Sequence, residues 1–106
     1  MLFTDKINIK PSIIDNTFNA LSYDTAIECK AYIENNTKVK YNSQGQAFTP
    51  DFLILLPAET VIGLQDVITI TEIHGADPMG DELGDKQIKQ VKRIGGVSMS
   101  HLEVYV

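Results

Sequence analysis

Hydrophobic and polar residues alternate with a period of two along most of this 106-residue chain, the spacing of strands that bury one face. Residues 3–10 alternate weakly, with Ile7 and Ile9 facing together ahead of Pro11, and residues 25–34 alternate cleanly. Residues 38–41 lead into the polar tip Asn42-Ser43-Gln44-Gly45-Gln46. Residues 48–56 then carry the continuous run Phe52-Leu53-Ile54-Leu55-Leu56, stopped by Pro57. A run that short predicts a strand buried on both faces rather than a helix. Residues 67–73 are β-branched at nearly every position, which restricts χ1 in favour of a pleated surface. A basic strand over residues 88–94, a hinge at Gly95-Gly96 and a last strand over residues 100–106 complete the pattern. That last strand is expected to dock into a sheet, because unpaired chain ends fray.

Two stretches break the alternation. Between Pro11 and Leu21, the residues Ile14, Phe18 and Leu21 fall at helical spacing and allow a short helix. Asn16, Thr17, Asn19 and Ser22 oppose it, since such side chains compete for backbone hydrogen bonds. Residues 74–85 hold His74 and several glycines and read as a long surface loop between strands. Short strands with frequent turn signals and little helix predict an all-β fold. The expectation is one domain over residues 1–106: a small antiparallel β-barrel of six to seven strands with long loops, closed so that no edge is left open.

Composition narrows the function. A domain of this size buries somewhat under roughly 70% of its extended-chain surface, so one modest core is expected. A net charge of −5 argues against general nucleic-acid affinity, which is driven by basic side chains releasing counterions. A single cysteine, Cys29, precludes an intramolecular disulfide and suits a reducing cytosol. It shares a strand face with Ile27, Ala31 and Ile33 and reads as a small buried hydrophobe. The first residues lack the pattern of a signal peptide, and no apolar run approaches the ~18 residues of a membrane span. Asn35-Asn36-Thr37 matches a glycosylation sequon, but without a leader peptide it is read as chance.

Candidate chemistry is sparse. Asp77, Asp81, Glu82 and Asp85, with His74 nearby, form the one carboxylate cluster, and their spacing departs from a calcium loop. A solvated acidic loop is the expectation. His101 begins a strand and reads as a structural or interface donor, and no nucleophile motif accompanies either histidine. Gly95-Gly96 joins two strands, whereas a phosphate loop runs from strand to helix. Lys86, Lys89, Lys92 and Arg93 concentrate positive charge over both faces of their strand. No enzymatic activity, cofactor or metal is expected.

One resemblance covers most of the chain in order. It rests on Ala31-Tyr32-Ile33-Glu34, the Gly-tipped Ser43-Gln44-Gly45-Gln46, Phe52-Leu53-Ile54-Leu55-Leu56-Pro57, Val61-Ile62-Gly63-Leu64-Gln65-Asp66-Val67-Ile68 and the closing His101-Leu102-Glu103-Val104-Tyr105. This order resembles the small head-completion, or stopper, proteins in the head-to-tail connector of long-tailed bacteriophages. The resemblance implies a non-enzymatic virion subunit, present in the host cytoplasm during assembly. It implies a homo-oligomeric ring of six or twelve copies, portal or adaptor proteins on the head side, and tail-completion or tail-tube proteins on the tail side. Packaged double-stranded DNA would lie close by, and no membrane is involved. In that family a polar loop or hairpin closes the DNA channel. The matching segment here is Asn42, Ser43, Gln44, Gly45 and Gln46, with the loop after Ile73 as a rival. Ring contacts are expected between the acidic Asp77, Asp81, Glu82 and Asp85 and the basic Lys89 and Arg93. Two alternatives remain open: a tail-completion or tail-terminator subunit, whose relatives usually carry more helix, and a small β-barrel protein binding a divalent cation or other ligand.

Overall fold

A computed structural model describes residues 3–15, 20–35, 38–42, 44–95 and 100–106. Alternation becomes strand pairing in eleven described segments: β1 (Asp5–Lys10), β2 (Ser12–Asp15), β3 (Ala20–Tyr23), β4 (Ile27–Asn35), β5 (Lys40–Tyr41), β6 (Ala47–Phe48), β7 (Phe52–Pro57), β8 (Val67–Glu72), β9 (Asp85–Gln87), β10 (Gln90–Ile94) and β11 (His101–Tyr105). The one helical piece among the described residues is a single 3-10 turn, Gly80–Glu82. Where the spacing allows a short helix after Pro11, the chain forms the antiparallel hairpin β2–β3, pairing Ser12 with Tyr23 and Ile14 with Leu21. The adjacent β-branched Ile13 and Ile14 lose rotamer freedom in a helix and not in a strand, which decides against the weak helical spacing. The middle of that stretch, residues 16–19, lies outside the described residues.

Seven strands form one sheet in the order β10-β11-β7-β4-β1-β8-β9, every neighbouring pair antiparallel. Its two edge strands, β9 and β10, are consecutive in the chain and separated by Ile88 and Lys89 alone. Strand β4 is shared in the same way, pairing with β1 up to Ala31 and with β7 from Tyr32 onward. The sheet is therefore two layers joined at both sides by a strand that bends from one to the other, and it curls into a small antiparallel β-barrel. Ile88 sits at one bend with its side chain buried, filling the corner. Opposite it, a bulge at Thr71 shifts the register between Lys6/Ile7 and Ile70/Glu72. The extra residue sharpens the bend there and lets Ile73 follow Ile68 and Ile70 into the interior.

The interior is filled by Ile7, Ile9, Ile68 and Ile70 from one layer and by Ile33, Ile54, Leu56, Leu102 and Val104 from the other, all at most 3% exposed. Each fully buried aliphatic side chain stabilises the fold by about 1.5–3 kcal/mol. In β7, Phe52, Ile54 and Leu56 lie in the core, while on the other face Leu55 is buried and Leu53 half-buried. The last described strand docks fully, and Val106 continues it by exchanging backbone hydrogen bonds with Asp51 and Phe52.

One polar group belongs to this core. Asp5, wholly buried, accepts hydrogen bonds from the Ile33 N–H and the His74 N–H, both at 2.8 Å. These donors sit just past the points where β4 and β8 stop pairing with β1. The carboxylate thus caps both neighbours of β1 at once. His74 needs that anchor because it holds a left-handed φ of 51°, followed by Gly75 at 78°. Together they form a two-residue turn closed by Ile73 and Ala76.

Replacing Asp5 with Ala orphans two buried donors and is expected to cost about 2–6 kcal/mol, at about 1–3 kcal/mol for each lost partner. Asp5→Asn keeps one acceptor oxygen and should cost less. Urea unfolding of both variants checks the order, and a D5A midpoint equal to that of the unaltered protein contradicts it.

Candidate functional site

Strand direction alternates around the barrel, so connectivity alone sorts the loops into two ends. The roots of β2 and β3, the segment from Ala58 to Asp66 and the end of β10 lie at one end. The hairpin β5–β6 and the loop from His74 to Gly84 lie together at the other. Both segments that the sequence offers as a channel gate therefore share one end of the molecule.

Hairpin β5–β6 is held from within by Asn42. Its side-chain Oδ1 accepts from the Gln44 and Gln46 N–H groups at 2.9 and 3.0 Å, and its Nδ2 donates to Gln46 Oε1 at 3.0 Å. The backbone adds Asn42 N–H to Gln46 O and Gly45 N–H to Asn42 O. Gly45, at a φ of 78°, supplies the left-handed step that closes the turn. Ser43 lies outside the described residues. The base of the hairpin rests on the outer face of β11: the Phe48 ring meets Tyr105 edge-on at 6.2 Å, and Lys40 Nζ sits 5.6 Å from the centre of the same ring. Burial pushes the Tyr105 phenol above its usual range, and the nearby Glu103 carboxylate adds to the shift. The exposed tip presents Gln44, Gly45 and Gln46, all neutral.

The acidic loop is more ordered than its composition suggests. After the His74-Gly75 turn, Glu82 reaches back to accept from the Met79 N–H at 3.0 Å, and Lys86 Nζ donates to Asp81 O while lying 5.0 Å from the centre of the Phe52 ring. Asp77 and Asp81 are exposed. Between this loop and the start of β7 runs a cleft of about 390 Å³ whose lining includes Asp51, Asp81 and Glu82. Among the described residues no three His, Cys, Asp or Glu side chains converge as metal ligands.

The expected ring contacts divide in space. Asp85 is engaged within its own barrel, accepting from Thr69 Oγ1 at 2.7 Å and from Lys10 Nζ at 3.1 Å. Lys89 donates to Thr49 O and Arg93 to Ala58 O, both at 3.0 Å. Lys89 thereby faces the β5–β6 end and Arg93 the opposite one, so the two cations do not share a patch. Cys29 is half-buried rather than enclosed, 4.0 Å from Thr60 Oγ1, in an apolar cavity of about 280 Å³ lined by Ile9, Ile27, Thr60 and Val61.

Two features escape the sequence reading. Asp66 clamps the root of the β2–β3 arm, with Oδ1 accepting from Ser12 N–H and Oγ and Oδ2 from Gly63 N–H. The arm itself exposes Ile13, Leu21 and Tyr23. The β-branched pair Ile13-Ile14, which disfavours a helix, was the available signal for it. No protein-family model, curated protein or solved structure matches the chain.

The Asp85 contacts set a pH dependence. The Thr69 hydroxyl first, and Lys10 second, hold its carboxyl below the usual 3.8. A depressed folded-state pKa stabilises the protein above the unfolded value, and that contribution disappears as pH falls through the folded value. The side chain is 55% exposed, so solvent screening keeps the effect small. Asp85→Asn should flatten the acid limb of the stability profile below about pH 4 and leave its slope at neutral pH unaltered. Thermal melts across that range check it, and an unchanged acid limb contradicts it.

Proposed function

We propose that this protein is a non-enzymatic ring subunit of a phage head-to-tail connector, acting at the head-completion, or stopper, station. The ring closes the DNA channel after packaging and offers the tail its docking surface. The observation that carries this reading is the β5–β6 hairpin. It is a neutral, polar tip braced by hydrogen bonds to its own Asn42 and mounted on the barrel wall through Phe48, Lys40 and Tyr105.

A gate must stand in the path of DNA without holding it. Cationic tips would bind phosphates tightly through counterion release, and a ring of carboxylates would repel them; amide side chains do neither. Rigidity matters equally, because a tip that must be ordered on contact loses conformational entropy, at about 1–2 kcal/mol for each residue fixed. The Asn42 bonds make that ordering part of the folded subunit. Asp77, Asp81 and Glu82 of the neighbouring loop are placed to keep DNA off the barrel wall beside the gate. The scarcity of helix favours head completion over the tail-completion station, whose subunits usually carry more of it.

The test is DNA retention in heads assembled without tails. Shortening residues 43–46 to a two-residue turn, or replacing Asn42 with Ala, should leave the barrel folded and let packaged DNA escape, with the larger leak from the shortened hairpin. Full retention by both variants refutes the hairpin as gate. Heads that, with the protein absent, keep their packaged DNA and take up tails normally refute the connector assignment itself.

A further inference from the structure

We propose that the free edge of β10 takes an extended, acidic segment of a partner protein as an added strand. The proposal is independent of the connector reading, since it needs only the barrel.

Hydrogen-bond direction along the last strands leaves this edge bare. Val106 and Phe52 exchange both backbone bonds, the Val106 N–H donating to Phe52 O at 3.1 Å and the Phe52 N–H to Val106 O at 3.4 Å. Antiparallel pairing sends the N–H and C=O groups of alternate residues to opposite sides, so Leu102, Val104 and Val106 bond toward β7. His101, Glu103 and Tyr105 therefore bond toward β10, where their register partners are Ile94, Lys92 and Gln90. The backbone groups of Val91 and Arg93 are turned the other way, off the end of the sheet order. The chain closes the barrel covalently through Ile88 and Lys89, but no described strand pairs with β10 on that side.

A groove of about 520 Å³ runs along the bare edge, lined by Val91, Arg93 and Leu102 of the barrel and by residues 58–62. Arg93 Nη1 reaches across to Ala58 O at 3.0 Å, a contact between exposed groups that a guest can displace. Donors and acceptors in line along a strand edge match another extended backbone, which brings complementary groups to about 4.8 Å. A small anion would use Arg93 and leave the Val91 groups unmet.

Charge selects among extended segments. Residues 88–94 carry Lys89, Lys92 and Arg93 and no carboxylate, in a chain of net charge −5. Among the described residues the ion pairs are Lys6–Glu72 and Lys10–Asp85, and neither involves this segment. Glu59, the one carboxylate lining the groove, belongs to its 58–62 side. A guest with Asp or Glu beside the exposed Lys92 and Arg93 gains attraction that a basic guest lacks. A second copy is disfavoured on the same ground, because two β10 edges would set like charges side by side.

The experiment titrates the isotopically labelled full chain with two capped peptides, Thr-Val-Glu-Val-Glu-Val-Thr and Thr-Val-Lys-Val-Lys-Val-Thr, and follows the backbone amides by NMR. The acidic peptide should shift the Val91 and Arg93 amides saturably and slow their hydrogen exchange, with the basic one binding about tenfold more weakly. Val91→Pro removes one outward N–H without breaking a bond to β11, and proline is tolerated on such an edge. It should keep a cooperative melt and weaken the acidic peptide several-fold. The double variant Lys92→Glu, Arg93→Glu keeps the backbone edge and should reverse the order of the two peptides. No shift at Val91 and Arg93, equal binding of both peptides, or unchanged affinities in both variants overturns the proposal. Shifts at these amides that grow with protein concentration alone would assign the edge to a second copy and overturn it as well.

Discussion

A carboxylate at the start of the first strand holds this barrel at its least regular point. Strand β1 is the shared neighbour of β4 and β8, and all three must part where β4 bends toward the other layer and β8 turns into the His74 loop. Parting strands leave N–H groups without partners, and in a dry interior each is costly. Asp5 takes one from each side, Ile33 and His74, with separate oxygens. The bend of β4 and the left-handed turn at His74 therefore depend on one side chain, and so does the position of the acidic loop that leaves this turn.

The second dependence is on continuity of chain. A sheet in the order β10-β11-β7-β4-β1-β8-β9 would end in two exposed edges, and exposed edges invite pairing with other chains. Here the edges belong to one segment interrupted at Ile88 and Lys89, so the covalent chain closes what hydrogen bonds leave open. Ile88 goes into the core and Lys89 stays outside, its N–H bonded to Tyr105 O at 2.7 Å and its ammonium to Thr49 O. That residue fastens the elbow to β11 on one side and to the approach of β7 on the other.

Much of this was legible in the sequence, because strand patterning is local. Ile7 and Ile9, the Phe52 to Leu56 run and the β-branched stretch from Val67 announce strands through their own side chains, and the all-β barrel follows. What escaped depends on partners distant in sequence. Asp5 looks like any surface acid until Ile33 and His74 are brought to it from 28 and 69 residues away. The bend between β9 and β10 reads as one basic strand, since residues on both sides of Ile88 still alternate. The β2–β3 arm was left open between a short helix and none because Ile14, Phe18 and Leu21 satisfy helical spacing, while β-branching at Ile13 and Ile14 carried the better signal. The site residues divided likewise: the neutrality of the Gln44-Gly45-Gln46 tip is visible in one line of sequence, but its rigidity needs the folded turn around Asn42.

The two ends of the barrel differ in chemistry, and that difference bears on assembly. At one end lie amides, carboxylates and a cation–ring stack, interspersed with the exposed Val39, Tyr41, Met79 and Leu83. At the other lie Ile27, Val61, Leu64 and the arm, which gain only when water is excluded. A subunit working alone gains nothing from such a division, because the apolar end promotes aggregation. A subunit set in a closed assembly can bury the apolar end in its neighbours and leave the polar end facing the lumen. In the ring proposed above, a net charge of −5 would act on both steps, holding free copies apart before assembly and keeping the finished surface from adhering to DNA.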